Sequence, residues 1–169
     1  MTPAMKNDTT SSLRNRIGVG FLAASFAFLV GAIIFALWSG EKPLADPDNP
    51  QQVARGKPVY DRYCAACHGA RLEGQPNWQE RLPSGRYPAP PHDFSGHTWH
   101  HPDAVLFGMT KNGLVPGKYA PPGYQSDMPA FSGVLSDEEI WAVLAYIKSS
   151  WPSEIRRAQY EMTRERDRR

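Results

Sequence analysis

Cysteine is almost missing from this chain. Its 169 residues include two, at positions 64 and 67, too few for a disulfide scaffold. Charge of one sign is missing too. Nineteen Lys and Arg stand against seventeen Asp and Glu. No basic stripe is therefore on hand to neutralise a phosphate backbone, which excludes nucleic-acid binding as the main activity. Strand-like alternation of apolar and polar residues occurs nowhere, leaving an all-α reading. Sixteen prolines and fourteen glycines disfavour a regular α/β architecture and require long irregular segments. The length suits one globular domain with extras, not two full domains. Long hydrophobic runs are equally scarce, for there is one.

That run is Ile17 to Trp38, 22 residues without a charge. As a helix it spans about 33 Å, enough for a hydrocarbon core of about 30 Å. Trp38 closes it where an interfacial aromatic belongs. The run exceeds the roughly 7–15 apolar residues of a cleaved signal peptide, and no Ala-x-Ala follows it, so it reads as an uncleaved anchor. Lys6, Arg14 and Arg16 precede it, whereas Glu41, Lys42, Asp46 and Asp48 follow. The positive-inside bias then makes 1–16 a cytoplasmic N-terminal tail, 17–38 a single transmembrane pass, and everything beyond residue 40 external. Residues 39–49, polar and proline-punctuated, read as a tether.

Beyond the tether, three helices are legible. Asn49-Pro50 supplies an N-cap and an N1 proline for a helix to about Tyr63, with Val53, Gly56, Tyr60 and Tyr63 on one face. Pro58 lies inside it and must kink it or shift its start. His101-Pro102-Asp103 opens a short helix with Val105, Leu106 and Met109 inward and Gly113 as its stop. Ser136 and Glu139 form a capping box, Leu135 and Ile140 a hydrophobic staple, and Ile140, Val143, Leu144 and Ile147 recur at helical spacing. Residues 152–169 form a charged C-terminal extension, expected as a solvated helix or frayed end, with docking the lesser reading. So many loops around so little core imply that something else fills the middle.

Both cysteines fall in Cys64-Ala65-Ala66-Cys67-His68, the C-x-x-C-H attachment signature of c-type haem. Thiols three positions apart at a helix end reach the two vinyl groups of one porphyrin, and His68 offers an imidazole to the iron. A thioredoxin-like pair would need a strand–helix setting, and a zinc site two further ligands at similar spacing. A disulfide across so short a loop would stabilise little. A sixth ligand of thioether type favours reduced iron. Met128, on the loop Asp127-Met128-Pro129-Ala130-Phe131, is the first candidate, with Met109 on a helix face in reserve.

Gly56-x-x-x-Tyr60, the C-x-x-C-H-G run, the distal Met-Pro-x-Phe and the closing helix LSDEEIWAVLAYI together resemble a class I c-type cytochrome, in particular a membrane-anchored monohaem bacterial one. The resemblance covers about residues 50–151, the expected cytochrome c domain. It implies one covalent haem c, with Cys64 and Cys67 as thioethers, His68 as proximal and Met128 as distal iron ligand. It also implies that Gly56 meets Trp141 or Tyr146 where first and last helices cross. A proline carbonyl should accept the His68 Nδ1–H; Pro90 or Pro91 fits, Pro76 less well.

Residues 75–101 depart from that pattern, being longer and holding His92, His97, His100 and His101. Side-chain hydrogen bonds that tie the loop down are the expected role; copper or a bis-histidine haem is the alternative. Trp78, Trp99, Arg81 and Arg86 are candidate cover for the haem propionates. The resulting expectation is an electron carrier and not an enzyme, tethered to a bacterial inner membrane with its haem domain in the periplasm. Its expected partners are membrane redox proteins that donate and accept electrons. Two alternatives are a haem enzyme or gas sensor with a labile distal ligand, and a copper-handling accessory protein. Residues 41–150 carry ten basic and twelve acidic side chains, so no strong lysine docking ring is expected.

Overall fold

The computed structural model describes residue 30 and residues 45–168. The chain divides into two units, Met1–Lys42 and Pro43–Arg169. The expected anchor over 17–38 lies, Val30 apart, outside the described residues. Among the described residues no helix is long and apolar enough to cross a membrane.

The second unit is helical. Helix α1 (Pro50–Tyr63) starts where the Asn49 side chain accepts from the Gln51 and Gln52 N–H groups, with Pro50 in the first turn. Pro58 sits on its exposed side, while Gly56, Val59 and Tyr60 are buried. The Cys64 N–H donates to Tyr60 O, so the chain runs on into the single turn α2 (Ala65–His68). After a long irregular stretch and a 3-10 turn (Thr98–His100) comes α3 (Asp103–Asn112), stopped by Gly113 at φ 78°. Helix α4 (Asp137–Ser149) carries the expected capping box, and Leu135 and Ile140 are both buried beside it. Helix α5 (Ser153–Asp167) closes the order. Among the described residues there is no strand, only two isolated bridges.

Helices α1 and α4 cross at Gly56. A Cβ there would lie 2.0 Å from Ala142 O and 2.9 Å from Tyr146 Cβ, so only glycine permits the approach. Tyr60 and Tyr146 pack alongside, ring centroids 5.4 Å apart. Trp141, the other expected partner of Gly56, instead stacks on Phe107 of α3 at 4.3 Å.

Helix α5 departs from the expected solvated or frayed end. Ile155, Gln159 and Thr163 recur every four residues along one face, and the last two are buried. Gln159 Nε2 lies 3.1 Å from His101 O and 2.7 Å from Asp103 Oδ1, and the Asp103 N–H donates to Thr163 Oγ1. Asp103 also takes Lys148 Nζ at 2.8 and 3.0 Å, in a pair only 3% and 5% exposed. The docking face is polar, so an apolar-periodicity search passes over it.

Two substitutions check this packing. Gly56→Ala drives a methyl into the Ala142 carbonyl and should cost at least about 1–3 kcal/mol, read from denaturant unfolding of the haem-loaded protein. Lys148→Met leaves the Asp103 carboxylate buried without its cation, at an expected cost of about 3–5 kcal/mol in the same assay.

Candidate functional site

The end of α1 and the turn α2 place Cys64, Cys67 and His68 on the wall of one cavity of about 670 Å³. That volume lies within the range of about 300–1,000 Å³ usual for ligand and cofactor sites. Leu106 of α3 and Val143, Leu144 and Ile147 of α4 give it an apolar face. The two cysteines are not joined to each other by a disulfide. Burial, with Cys67 next, pushes the Cys64 thiol up to about 11, so it is protonated at neutral pH. That is the opposite of the lowered pKa of a redox-active pair. A neutral thiol in an apolar wall does suit a thioether link, which carries no charge.

His68 is buried and its Nδ1 lies 2.8 Å from Pro90 O. A carbonyl only accepts, so Nδ1 carries the proton and Nε2 keeps its lone pair, the form that ligates metal. Burial lowers the pKa of this ring and the Pro90 carbonyl opposes the shift. Of the three expected prolines, the acceptor is therefore Pro90. The loop reaches it because Gly74, at φ 69°, lets the backbone pass Pro91: a Cβ there would sit 2.4 Å from Pro91 N. Bonds from Gln75 N to Ala89 O and from His92 N to Leu72 O clamp the two sides together. Tyr60 Oη donates to Gly69 O at 2.8 Å, fixing the chain just past the motif.

His92 ties the loop down by a side-chain hydrogen bond, as expected, but its stacking on the ligand ring was not foreseen. Its ring stacks on His68 at 3.9 Å, tilted 21°. Its Nδ1 pairs with Thr98 Oγ1 at 2.8 Å, and its carbonyl accepts from Trp151 Nε1 at 2.8 Å. Burial, then the neighbouring His68 and His97, holds its pKa well below the ordinary value. A ring flat against His68 cannot face it across an iron, which removes His92 from the bis-histidine alternative. The only sequence signal was its place two residues after Pro90.

Met128 and Met109 both line the cavity, the first from the loop after α3 and the second from α3 itself. The Met128 loop is held by Phe131 N to Thr110 O and by Met128 N to Ser126 Oγ. It is also joined to the 75–101 loop. Tyr87 and Tyr124 stack at 5.8 Å, Arg81 lies 4.5 Å over the Tyr87 ring, and Arg86 pairs with Asp127.

Of the four candidates for propionate cover, Trp78, Trp99 and Arg81 do not line the cavity, and Arg86 lines an adjoining pocket together with Tyr124, Ser126 and Met128. Trp78 stacks on His97, and Trp99 Nε1 donates to Gly96 O and Phe94 O. Arg81 donates to Gly85 O, and Arg86 is taken by Asp127. Among the described residues no group of three or more His, Cys, Asp or Glu could hold a metal ion. The four loop histidines thus do not converge on a copper centre.

A model of the Cytochrome c family matches residues 53–151, from within α1 to the tryptophan just past α4. No curated protein and no solved structure matches the chain. The matched span contains the Cys64-Cys67-His68 wall, the Pro90 acceptor and both cavity methionines. Membership of this family implies covalently bound haem c and haem-based electron transfer. The chain belongs to the cytochrome c family.

Proposed function

We propose that this is a class I, membrane-anchored bacterial cytochrome c, an electron carrier with His68 and Met128 as axial ligands of one haem. The observation that carries the reading is the single cavity shared by His68, with Nε2 bare and Nδ1 fixed by Pro90 O, and the Met128 loop. Haem c bound there supplies a one-electron couple between Fe(III) and Fe(II). The chain does the rest. Pro90 O holds the His68 ring at one angle and keeps its ligating nitrogen basic. Cys64 and Cys67 anchor the group from the side. The apolar wall of α3 and α4 excludes water, and a soft methionine sulfur favours the reduced metal. With His68 and Met128 both holding the iron, no position would be left for a substrate, which favours an electron carrier over an enzyme.

The 22 uncharged residues of 17–38 and the basic flank before them support a single inner-membrane pass with the haem domain in the periplasm. A tether of this kind keeps the domain at high effective concentration near membrane donors and acceptors of electrons.

Two experiments test the reading. Met128→Ala should abolish the near-infrared sulfur-to-iron charge-transfer band, lower the midpoint potential and let the reduced protein bind CO. Met109→Ala should keep the band and cost about 2 kcal/mol of stability through packing. The reverse pattern would move the axial role to Met109. Protease added to intact spheroplasts should release a haem-stained fragment by cutting between residues 40 and 48. A protected haem domain would overturn the orientation.

A further inference from the structure

We propose that His97 and His101 receive the carboxylates of the bound haem and exchange a proton with solvent as the iron changes charge. The inference rests on haem occupying the cavity, whichever methionine binds its iron.

A haem brings two carboxylates into an otherwise apolar site, and a buried carboxylate requires donors, preferably charged ones. Among the described residues that line the cavity none is Lys or Arg. Its only side chains able to become cationic are His68, His92, His97 and His101. His68 is committed to Pro90 O and His92 to Thr98, stacked on His68. His97 and His101 remain. Their rings lie edge to face at 5.8 Å, and neither has a hydrogen-bond partner for its ring nitrogens among the described residues. Neutral hydroxyl and amide groups also line the wall, as does the Asp127 carboxylate, which repels an anion and is itself taken by Arg86.

The pair is also held in place. Trp78 stacks on His97 at 5.4 Å and 5°. Gln159 Nε2 on α5 faces His101 O, so the docked C-terminal helix fixes this part of the wall. The titratable and charged groups around the pair are His100 on the same turn, His92 in the adjoining loop, and the Asp103–Lys148 ion pair of α3 and α4. Helix α5 contributes the uncharged Gln159 and Thr163. Burial lowers the pKa of both rings, followed by repulsion from His100 for His97 and from His97 and His100 for His101. Both are therefore neutral near pH 7 until an anion approaches.

The sign follows from charge. An imidazolium beside the haem favours Fe(II), so the site gains one electron and a fraction of one proton from solvent on reduction. The midpoint potential should then fall as pH rises through the histidine range, about pH 5 to 8.

The test is potentiometric titration of the full-length, haem-loaded protein across that range, with haem content checked by pyridine haemochrome. The parent should show a falling potential. His97→Gln and His101→Gln should each lose part of the slope, and the double variant should titrate flat. His100→Gln, which alters an exposed ring stacked on Trp99, should keep a falling potential of parental steepness, moved toward higher pH because its repulsion of the pair is gone. A flat parent, or a double variant with the parental slope, overturns the proposal. If the double variant fails to take up haem, the two single variants decide by the same criterion. Haem content and the charge-transfer band report on cofactor and axial ligand separately from the slope.

Discussion

The hydrogen bond between His68 Nδ1 and Pro90 O is the joint on which the rest of the site depends. It fixes a side chain on α2 to a backbone atom 22 residues later, across a loop with little regular structure of its own. A carbonyl cannot rotate as a side chain can, so the ring inherits the rigidity of the Pro90–Pro91 backbone. That backbone is in turn pressed against Gly74 and bridged to Gln75 and Leu72. Two residues further on, His92 falls flat against the ligand ring, and Trp151 beyond α4 holds the His92 carbonyl. The imidazole is thereby oriented from two sides by contacts that close loops of very different length.

Two unlike cores lie on either side of this joint. Between α1 and α4 the contact is apolar and close, set by Gly56 against Ala142 and by the Tyr60–Tyr146 pair. Between α3, α4 and α5 it is polar, with Lys148, Asp103, Gln159 and Thr163 buried in one network. A buried ion pair adds little net stability over an apolar substitute. It does discriminate between registers, since a one-residue shift of α5 would leave Asp103 short of a donor. One member stays incomplete, for Gln159 Oε1 has no partner.

Sequence legibility divides along the same line. Helices α1, α3 and α4 could be read because their ends are written in local chemistry: Asn49-Pro50, Gly113, and the Ser136–Glu139 box. The attachment motif needs only five consecutive residues, whereas the acceptor stayed open between Pro90, Pro91 and Pro76 until the path of the loop selected Pro90. Docking of helix α5 was only the lesser reading, because Gln159 and Thr163 look like surface residues until Asp103 is brought beneath them. The choice between Trp141 and Tyr146 was also beyond the sequence. Both flank the apolar face of α4, and the rotation of that helix against α1 decides which one Gly56 meets. The stacking of His92 on His68 stayed hidden for a related reason, since it depends on the path of a proline-rich loop that no periodicity encodes.

The seam between the two long loops has a consequence for electron-transfer rate. Tyr87 on Tyr124, with Arg81 above, joins the segment that carries Pro90 to the segment that carries Met128. The Arg86–Asp127 pair adds little, being largely solvent-exposed. The stacked rings nonetheless make the two loops one wall around the metal site. When the charge inside that wall changes by one unit, the joined backbones of the two loops resist moving in response. Surroundings fixed in advance lower the reorganisation energy of the change. A carrier built this way can exchange electrons at small driving force, because the two loops have little backbone movement to make.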